Sequence, residues 1–167
     1  MSAAARIRLA GPEDSAAIAW MLQQLAHELG DGAVFASTED TIRRHGFGAE
    51  ASFAAMLAET DGTPQGLALF FRHFSTTRGL AGVYVQDLWI APERRGERLG
   101  KNLLAMVADH AARTWDAAYL ALTVYRDNSD AARFYDRLGF DTHHNDAPMS
   151  LAGSAFRELA QTAGVAA

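Results

Sequence analysis

The residues best placed to do chemistry lie in one basic turn, Arg94-Arg95-Gly96-Glu97-Arg98-Leu99-Gly100-Lys101. It follows a strand-like run, Val83 to Ile90 (VYVQDLWI), and a break at Ala91-Pro92-Glu93, and it leads into an amphipathic segment, Asn102 to Thr114. A strand, a glycine-bearing turn and a helix start together suit phosphate. The first N–H groups of a helix have no internal partner, and the macrodipole puts partial positive charge there. Glycines let the turn reach φ > 0, so successive N–H groups can converge on an anion. Between Glu93 and Lys101 stand four cations and two anions, a net of +2 in a chain whose net charge is −5. A basic island on an acidic chain suits one local polyanionic ligand better than a nucleic-acid surface. The same residues also read as a solvated helix start whose arginines serve solubility, and this stretch alone leaves both readings open.

The elements that must position this turn follow from periodicity and punctuation. Arg6 to Leu9 alternates as a short strand, and Gly11-Pro12-Glu13-Asp14 opens a helix with acids in its first turn. Ile18, Met21, Leu22, Leu25 and Leu29 share one face of it, and Gly30-Asp31-Gly32 stops it. A shorter helix starts at Thr38 and ends at Gly46-Phe47-Gly48. Ser52 to Glu59 and Gly66 to Phe74 read as strands joined by a turn at Asp61-Gly62-Thr63-Pro64. The loop Thr76-Thr77-Arg78-Gly79 leads into Val83–Ile90, and the short connections predict antiparallel pairing. After the basic turn and its helix, Tyr119 to Tyr125 predicts a further strand, parallel to Val83–Ile90. Asn128 and Ser129 cap a helix over Asp130 to Leu138 that ends at Gly139. Phe140 to Leu151 reads as a last hairpin and Phe156 to Gln161 as a helical tail.

Composition narrows the class. At 167 residues, 49% apolar and 21% charged, the chain predicts one domain over 1–167 with a single core. No apolar run matches a membrane span, and Met1 to Arg6 lacks the apolar core of a signal peptide. With no cysteine there is no disulfide, thiolate metal site or cysteine nucleophile, and the six histidines form no HxH or HxxxH pair. The expectations are a cytoplasmic location, no metal, no nucleic acid and no membrane partner.

Three stretches together resemble the GNAT superfamily of N-acetyltransferases. VYVQDLWIAPERRGERLGKNLL is similar to its acetyl-coenzyme-A motif, a strand followed by R/Q-x-x-G-x-G/A and a helix. NSDAARFYDRLGF is similar to N-x-x-A-x-x-F-Y-x-x-x-G-F, and RHGFGAEASFAAMLAE resembles the spermidine/spermine (diamine) acetyltransferase branch. The resemblance implies an α/β (α+β) acyl-CoA N-acyltransferase fold. It has a mixed central sheet of about six or seven strands with helices on both faces, and a homodimer is expected. One departure stands out: Arg98 replaces the first glycine of the G-x-G. Inside the first helical turn, where the sequence places it, Arg98 is unstrained and adds a phosphate contact.

The resemblance also assigns roles. Backbone N–H groups from Arg95 through Gly96, Glu97, Arg98, Leu99 and Gly100 to Lys101 take the pyrophosphate of acetyl-CoA, screened by Arg94, Arg95, Arg98 and Lys101. The strand end Leu88-Trp89-Ile90 splays from its neighbour and pairs with pantetheine as an added strand does. A backbone N–H near Leu88 polarises the thioester carbonyl. Tyr135 is the general acid, since a phenol is protonated at neutral pH and can reprotonate a departing thiolate. Asn128 is a helix cap that can also bond the pantetheine arm. Where the diamine branch carries Glu-Asp, this chain has Gln86-Asp87, so a glutamate base is absent. Asp87 is left to draw a cationic amine or to relay its proton, with a structural carboxylate as the other reading; His73 and Tyr84 are fallback bases. Phe35, Phe47, Phe53 and Trp89 could frame an acceptor pocket or belong to the core.

The leading expectation is transfer of acetyl from acetyl-CoA to a primary amine of a small molecule, a diamine, polyamine or amino-acid-like acceptor. Protein and aminoglycoside amines are alternatives within the same chemistry. A GNAT-fold module that binds acyl-CoA without turnover is the alternative from another class, favoured by the lost glutamate and opposed by Tyr135. Nucleotide binding without acyl chemistry would need a Walker lysine–serine/threonine pair, which the glycine turn lacks.

Overall fold

The computed structural model describes residues 4–142 and 148–162. They form two compact units divided between Asp127 and Asn128.

In the first unit, five strands stand in sequence order. They are β1 (Arg6–Leu9), β2 (Ala54–Thr60), β3 (Thr63–Ser75), β4 (Leu80–Ile90) and β5 (Leu120–Ala121). The first four pair antiparallel and β5 pairs parallel to β4. Helix α1 (Ser15–Leu29) follows a 3-10 turn at Pro12–Asp14, α2 is Glu39–Gly46, and α3 (Leu99–Trp115) makes the crossover from β4 to β5. The mixed sheet is as expected, but with five strands among the described residues rather than six or seven.

One difference shortens β5 and a second accounts for the count. The run Tyr119 to Tyr125 pairs with β4 only at Leu120 and Ala121. In the expected hairpin over Phe140 to Leu151, residues 143–147 lie outside the described residues and the rest is not strand.

Helices cover both faces of the sheet. On one, Ile18, Met21 and Leu22 of α1 and Ile42 of α2 pack on Leu57, Leu67, Leu69 and Trp89. The intervening residues of the same strands, Met56, Ala68 and Phe70, are buried on the other face, which α3 covers with Leu103, Leu104 and Val107. Arg8 fixes the entry to α1 by bonding Asp14 (2.7 and 2.9 Å) and Glu59 (2.9 and 3.1 Å) together. The predicted α1 stripe divides by depth. Ile18, Met21 and Leu22 are buried, whereas Leu25 and Leu29, one and two turns on, face a cavity.

The second unit holds α4 (Ser129–Asp136) and α5 (Gly153–Gln161). Asn128 caps α4 as expected, its Oδ1 accepting from Ala131 N–H at 3.1 Å. No helix among the described residues is long and apolar enough to cross a membrane.

Candidate active site

The site grows from a fault in β4. In an extended strand, successive N–H groups point to opposite edges. Val83 N–H donates to Tyr119 O (3.0 Å) on the β5 side, whereas Ala91 N–H donates to Gln65 O (2.9 Å) on the β3 side. An unbroken pleat would send both the same way, so one half-step has been inserted. The register shows where: Phe70 faces Val85 and Leu69 faces Asp87, leaving Gln86 unmatched as a β-bulge.

The bulge has two consequences. Consecutive side chains, which ordinarily diverge, turn to the same side, so Gln86 and Asp87 both line one cavity of about 700 Å³. Beyond it, the backbone groups of Leu88 and Ile90 point away from β3, along an edge that the two-residue β5 does not reach. Trp89 is not on that edge. Its backbone faces β3, and its side chain is buried, with Nε1 donating to Glu28 at 3.1 Å. The open edge of β4 is therefore formed by the backbone of Leu88 and Ile90.

The cavity is walled by the end of α1, the segment that follows it, and strands β3 and β4. Phe35, Phe53 and Phe71 supply aromatic surface, while Asp31 and Asp87 supply charge. Phe47 packs against the core without lining the cavity. Gln86 Nε2 donates to Asp87 Oδ2 at 3.2 Å. Burial raises the pKa of the Asp87 carboxyl above its ordinary value, against the opposing pull of that bond. His73 and Tyr84 have other partners: His73 Nδ1 lies 2.6 Å from Tyr119 Oη, and Tyr84 Oη lies 2.7 Å from Thr123 Oγ1.

The basic turn is an open array of donors. The first helical bond of α3 is Asn102 N–H to Arg98 O, so the N–H groups of Gly96 to Lys101 have no protein acceptor among the described residues. Gly96 takes φ 83° with open space where a Cβ would stand. Arg98 corrects the sequence reading. It is not in the first helical turn but precedes it, at φ 64° and ψ 6° in the left-handed region that the replaced glycine would occupy without strain. The cations also divide. Arg94 is turned inward, 9% exposed, donating to Glu97 (2.7 Å) and Thr60 (3.0 Å). Arg95 donates to both oxygens of Glu28 (2.7 and 2.8 Å) and to Ile90 O (3.0 Å). Among the described residues, Arg98 and Lys101 have no side-chain ion pair.

In the second unit, Tyr135 lies on α4 with its ring edge-on to Phe134 and Phe140, centroids 5.1 and 5.3 Å away. Burial pushes its phenol up to about 12. No group of side chains among the described residues could hold a metal ion.

Sequence reasoning missed three polar residues. Asp31 read only as a helix stop and Tyr125 as a strand end, and Glu28 was not singled out at all. Tyr125 Oη donates to Asp31 Oδ2 at 2.7 Å across 94 positions of sequence, and both line the cavity. A contact so distant in sequence leaves no local signal.

The same architecture is found in an integron cassette protein from the mobile metagenome of V. cholerae, with a TM-score of 0.77. That likeness covers 96% of this chain and 99% of the other at 19% identity. Two curated relatives are similar over most of their length, both named thialysine N-epsilon-acetyltransferase. The Mus musculus protein is 29% identical over 95% of this chain and 98% of its own. The Sus scrofa protein is 30% identical over 80% of this chain and 82% of its own. A donor-rich turn after a bulged, half-open strand thus sits within a pattern that runs from α1 to Phe140, and with residues 17–140 matching the acetyltransferase (GNAT) family, the chain belongs to that family.

Proposed function

We propose that this N-acetyltransferase moves the acetyl group of acetyl-CoA to a primary amine of a small molecule held in the cavity at Gln86 and Asp87. The observation that carries the reading is the bulge. It puts an acid into an aromatic-walled cavity and leaves the next residue's N–H on an open strand edge.

Support for acetyl-CoA as donor comes from the run of N–H groups over Gly96–Lys101 and from the edge at Leu88 and Ile90. The main-chain groups of Gly96, Glu97, Arg98, Leu99, Gly100 and Lys101, with the Arg98 and Lys101 side chains, would hold the diphosphate. Arg94 and Arg95 shape the turn through Glu97 and Glu28. Asn128, beyond its cap, would meet the pantetheine arm. When bound, acetyl-CoA supplies an activated thioester.

The chain's own groups do the rest. An alkylamine arrives largely protonated, with a reference pKa of about 10.4. Asp87 draws that cation and takes its proton, directly or through water. The burial that raises its pKa makes it a stronger base than an exposed carboxylate. Gln86 orients it through the bond to Oδ2. Leu88 N–H polarises the carbonyl under attack. Tyr135 would give its proton to the departing thiolate and regain one from the newly acylated nitrogen, directly or through water; a phenol pushed up to about 12 is fully protonated at neutral pH.

The acceptor is an alkylamine small enough for the cavity, in keeping with relatives named for acetylating the ε-nitrogen of thialysine. The test is thiol release from acetyl-CoA with alkyl monoamines, diamines, thialysine, a lysine-bearing peptide and an aminoglycoside. Release with small alkylamines is expected. If folded protein that binds coenzyme A released no thiol with any of them, the reading would be refuted.

A further inference from the structure

Resting on the reading of the donor turn and the open β4 edge as the coenzyme A site, we propose that Glu28 is a positioning residue. Acting through Arg95, it fixes the turn against the edge, so that a donor spanning both finds them already aligned.

Three observations support this. First, one carboxylate ties three elements together. Glu28, on α1, accepts at Oε1 from Trp89 Nε1 of β4 (3.1 Å) and from Arg95 Nη2 of the turn (2.8 Å), and at Oε2 from the same Arg95 nitrogen (2.7 Å). Arg95 Nε donates to Ile90 O at 3.0 Å. Ile90 ends β4 and Arg95 follows the 3-10 turn Pro92–Arg94, so the guanidinium folds back over that turn onto the strand end. It closes the last acceptor of the open edge and leaves Leu88 N–H and O and Ile90 N–H as the remainder. Second, nothing local favours an acid at this position. Glu28 stands in the last turn of α1, facing the negative end of its own helix. Its ion pair is 38% exposed at Glu28 and 49% at Arg95, and pairs so exposed contribute little to stability. What these contacts fix is the direction of a side chain. Third, the same stretch of α1 carries Leu25, Ala26 and Leu29, which line the acceptor cavity. Glu28 therefore ties the donor turn to the helix that walls the acceptor.

A ligand that spans two subsites depends on their relative placement, and one that fills a single subsite does not. Calorimetry on the full chain compares coenzyme A, which has both a pantetheine arm and a diphosphate, with pantetheine and adenosine diphosphate, which have one each. Glu28→Ala should weaken coenzyme A about tenfold and leave the affinity of both fragments unchanged. Glu28→Gln keeps an acceptor for Trp89 but loses the charge that holds Arg95. It should show part of the same loss, and it stands in if Glu28→Ala fails to fold. KM for acetyl-CoA should rise in both while kcat holds. The double variant Glu28→Ala/Arg95→Ala should bind coenzyme A no more weakly than Arg95→Ala alone, because Glu28 acts through Arg95. Coenzyme A affinity unchanged or raised in the folded variants, all three ligands weakened together, or additive losses in the double variant overturns this inference alone. A wild type that ignores coenzyme A overturns the donor reading and this inference with it.

Discussion

Arg98→Gly separates two properties that one residue combines. Arg98 holds φ 64°, where a residue with a Cβ costs about 1–2 kcal/mol relative to ordinary backbone. Glycine removes that cost but gives up about 0.5–1 kcal/mol through the freedom it regains on unfolding. Arg98 caps nothing with its side chain and pairs with no carboxylate among the described residues, so no lost contact offsets the difference. The net gain is about 0.5–1 kcal/mol, or roughly 1–4 °C in Tm for a chain of this size. The same substitution removes one of the two turn cations that have no ion pair among the described residues, and coenzyme A should bind about fivefold more weakly at low salt. That deficit should shrink as salt screens it. Urea melts and calorimetric titrations with coenzyme A measure the two effects. Arg98→Ala is the control: it keeps the strain and loses the charge, so only affinity should fall. If Arg98→Gly is no more stable than Arg98→Ala, the left-handed strain argument is refuted. If coenzyme A affinity is unchanged in both, Arg98 does not face the diphosphate.

Asp87→Asn should lower kcat/KM about 100-fold while raising Tm at pH 7. Because burial lifts the Asp87 pKa above its ordinary 3.8, the folded state holds the proton to higher pH than the unfolded chain does. Wild-type stability should therefore fall as pH rises through that interval, and urea midpoints of the asparagine variant should lack this component. Tyr135→Phe should reduce kcat about 100-fold with coenzyme A affinity intact. Since the phenol titrates at about 12, the wild-type kcat profile should show no loss from Tyr135 below roughly pH 11. Gly82→Ala should destabilise by about 1–3 kcal/mol in urea, because the new Cβ would stand 2.3 Å from Tyr119 Cζ. Tyr119 cannot easily yield, being bonded to His73 and covered by the Arg78 guanidinium.

Where a signal was local, the sequence carried it. Thr38 caps α2 through its side-chain oxygen, Asn128 caps α4, and the basic turn opens α3. Chain punctuation specifies such contacts within three or four residues. Arg98 was misplaced because an arginine gives no sign of left-handed backbone, and only the glycine it replaces would have signalled it. The partners of Arg94 and Arg95 were invisible for a different reason. Thr60 and Glu28 lie 34 and 67 positions away, and a cation among cations reads as free until the fold supplies an anion. Much of the positive charge counted in the turn is therefore internal to the structure, and its capacity for an anion rests more on unpartnered amides than on arginines.

The bulge at Gln86 was unreadable because hydrophobic alternation passes through it unchanged. Val83, Val85 and Trp89 are all at odd positions and all at most 3% exposed, as one continuous strand face would be. Yet Trp89 belongs to the cluster under α1 and α2, and Val83 and Val85 do not. With helices over both faces of the sheet, an apolar side chain finds a core whichever way it points, so the pattern cannot record a reversal. In a sheet with one wet face, the same half-step would have put polar residues in phase with apolar ones and announced itself. The double cover that hides the bulge also makes it affordable: β4 can change sides between Val85 and Asp87 while keeping Val83, Val85 and Trp89 all buried. That leaves only Gln86 and Asp87, two polar side chains, to be turned together toward the cavity.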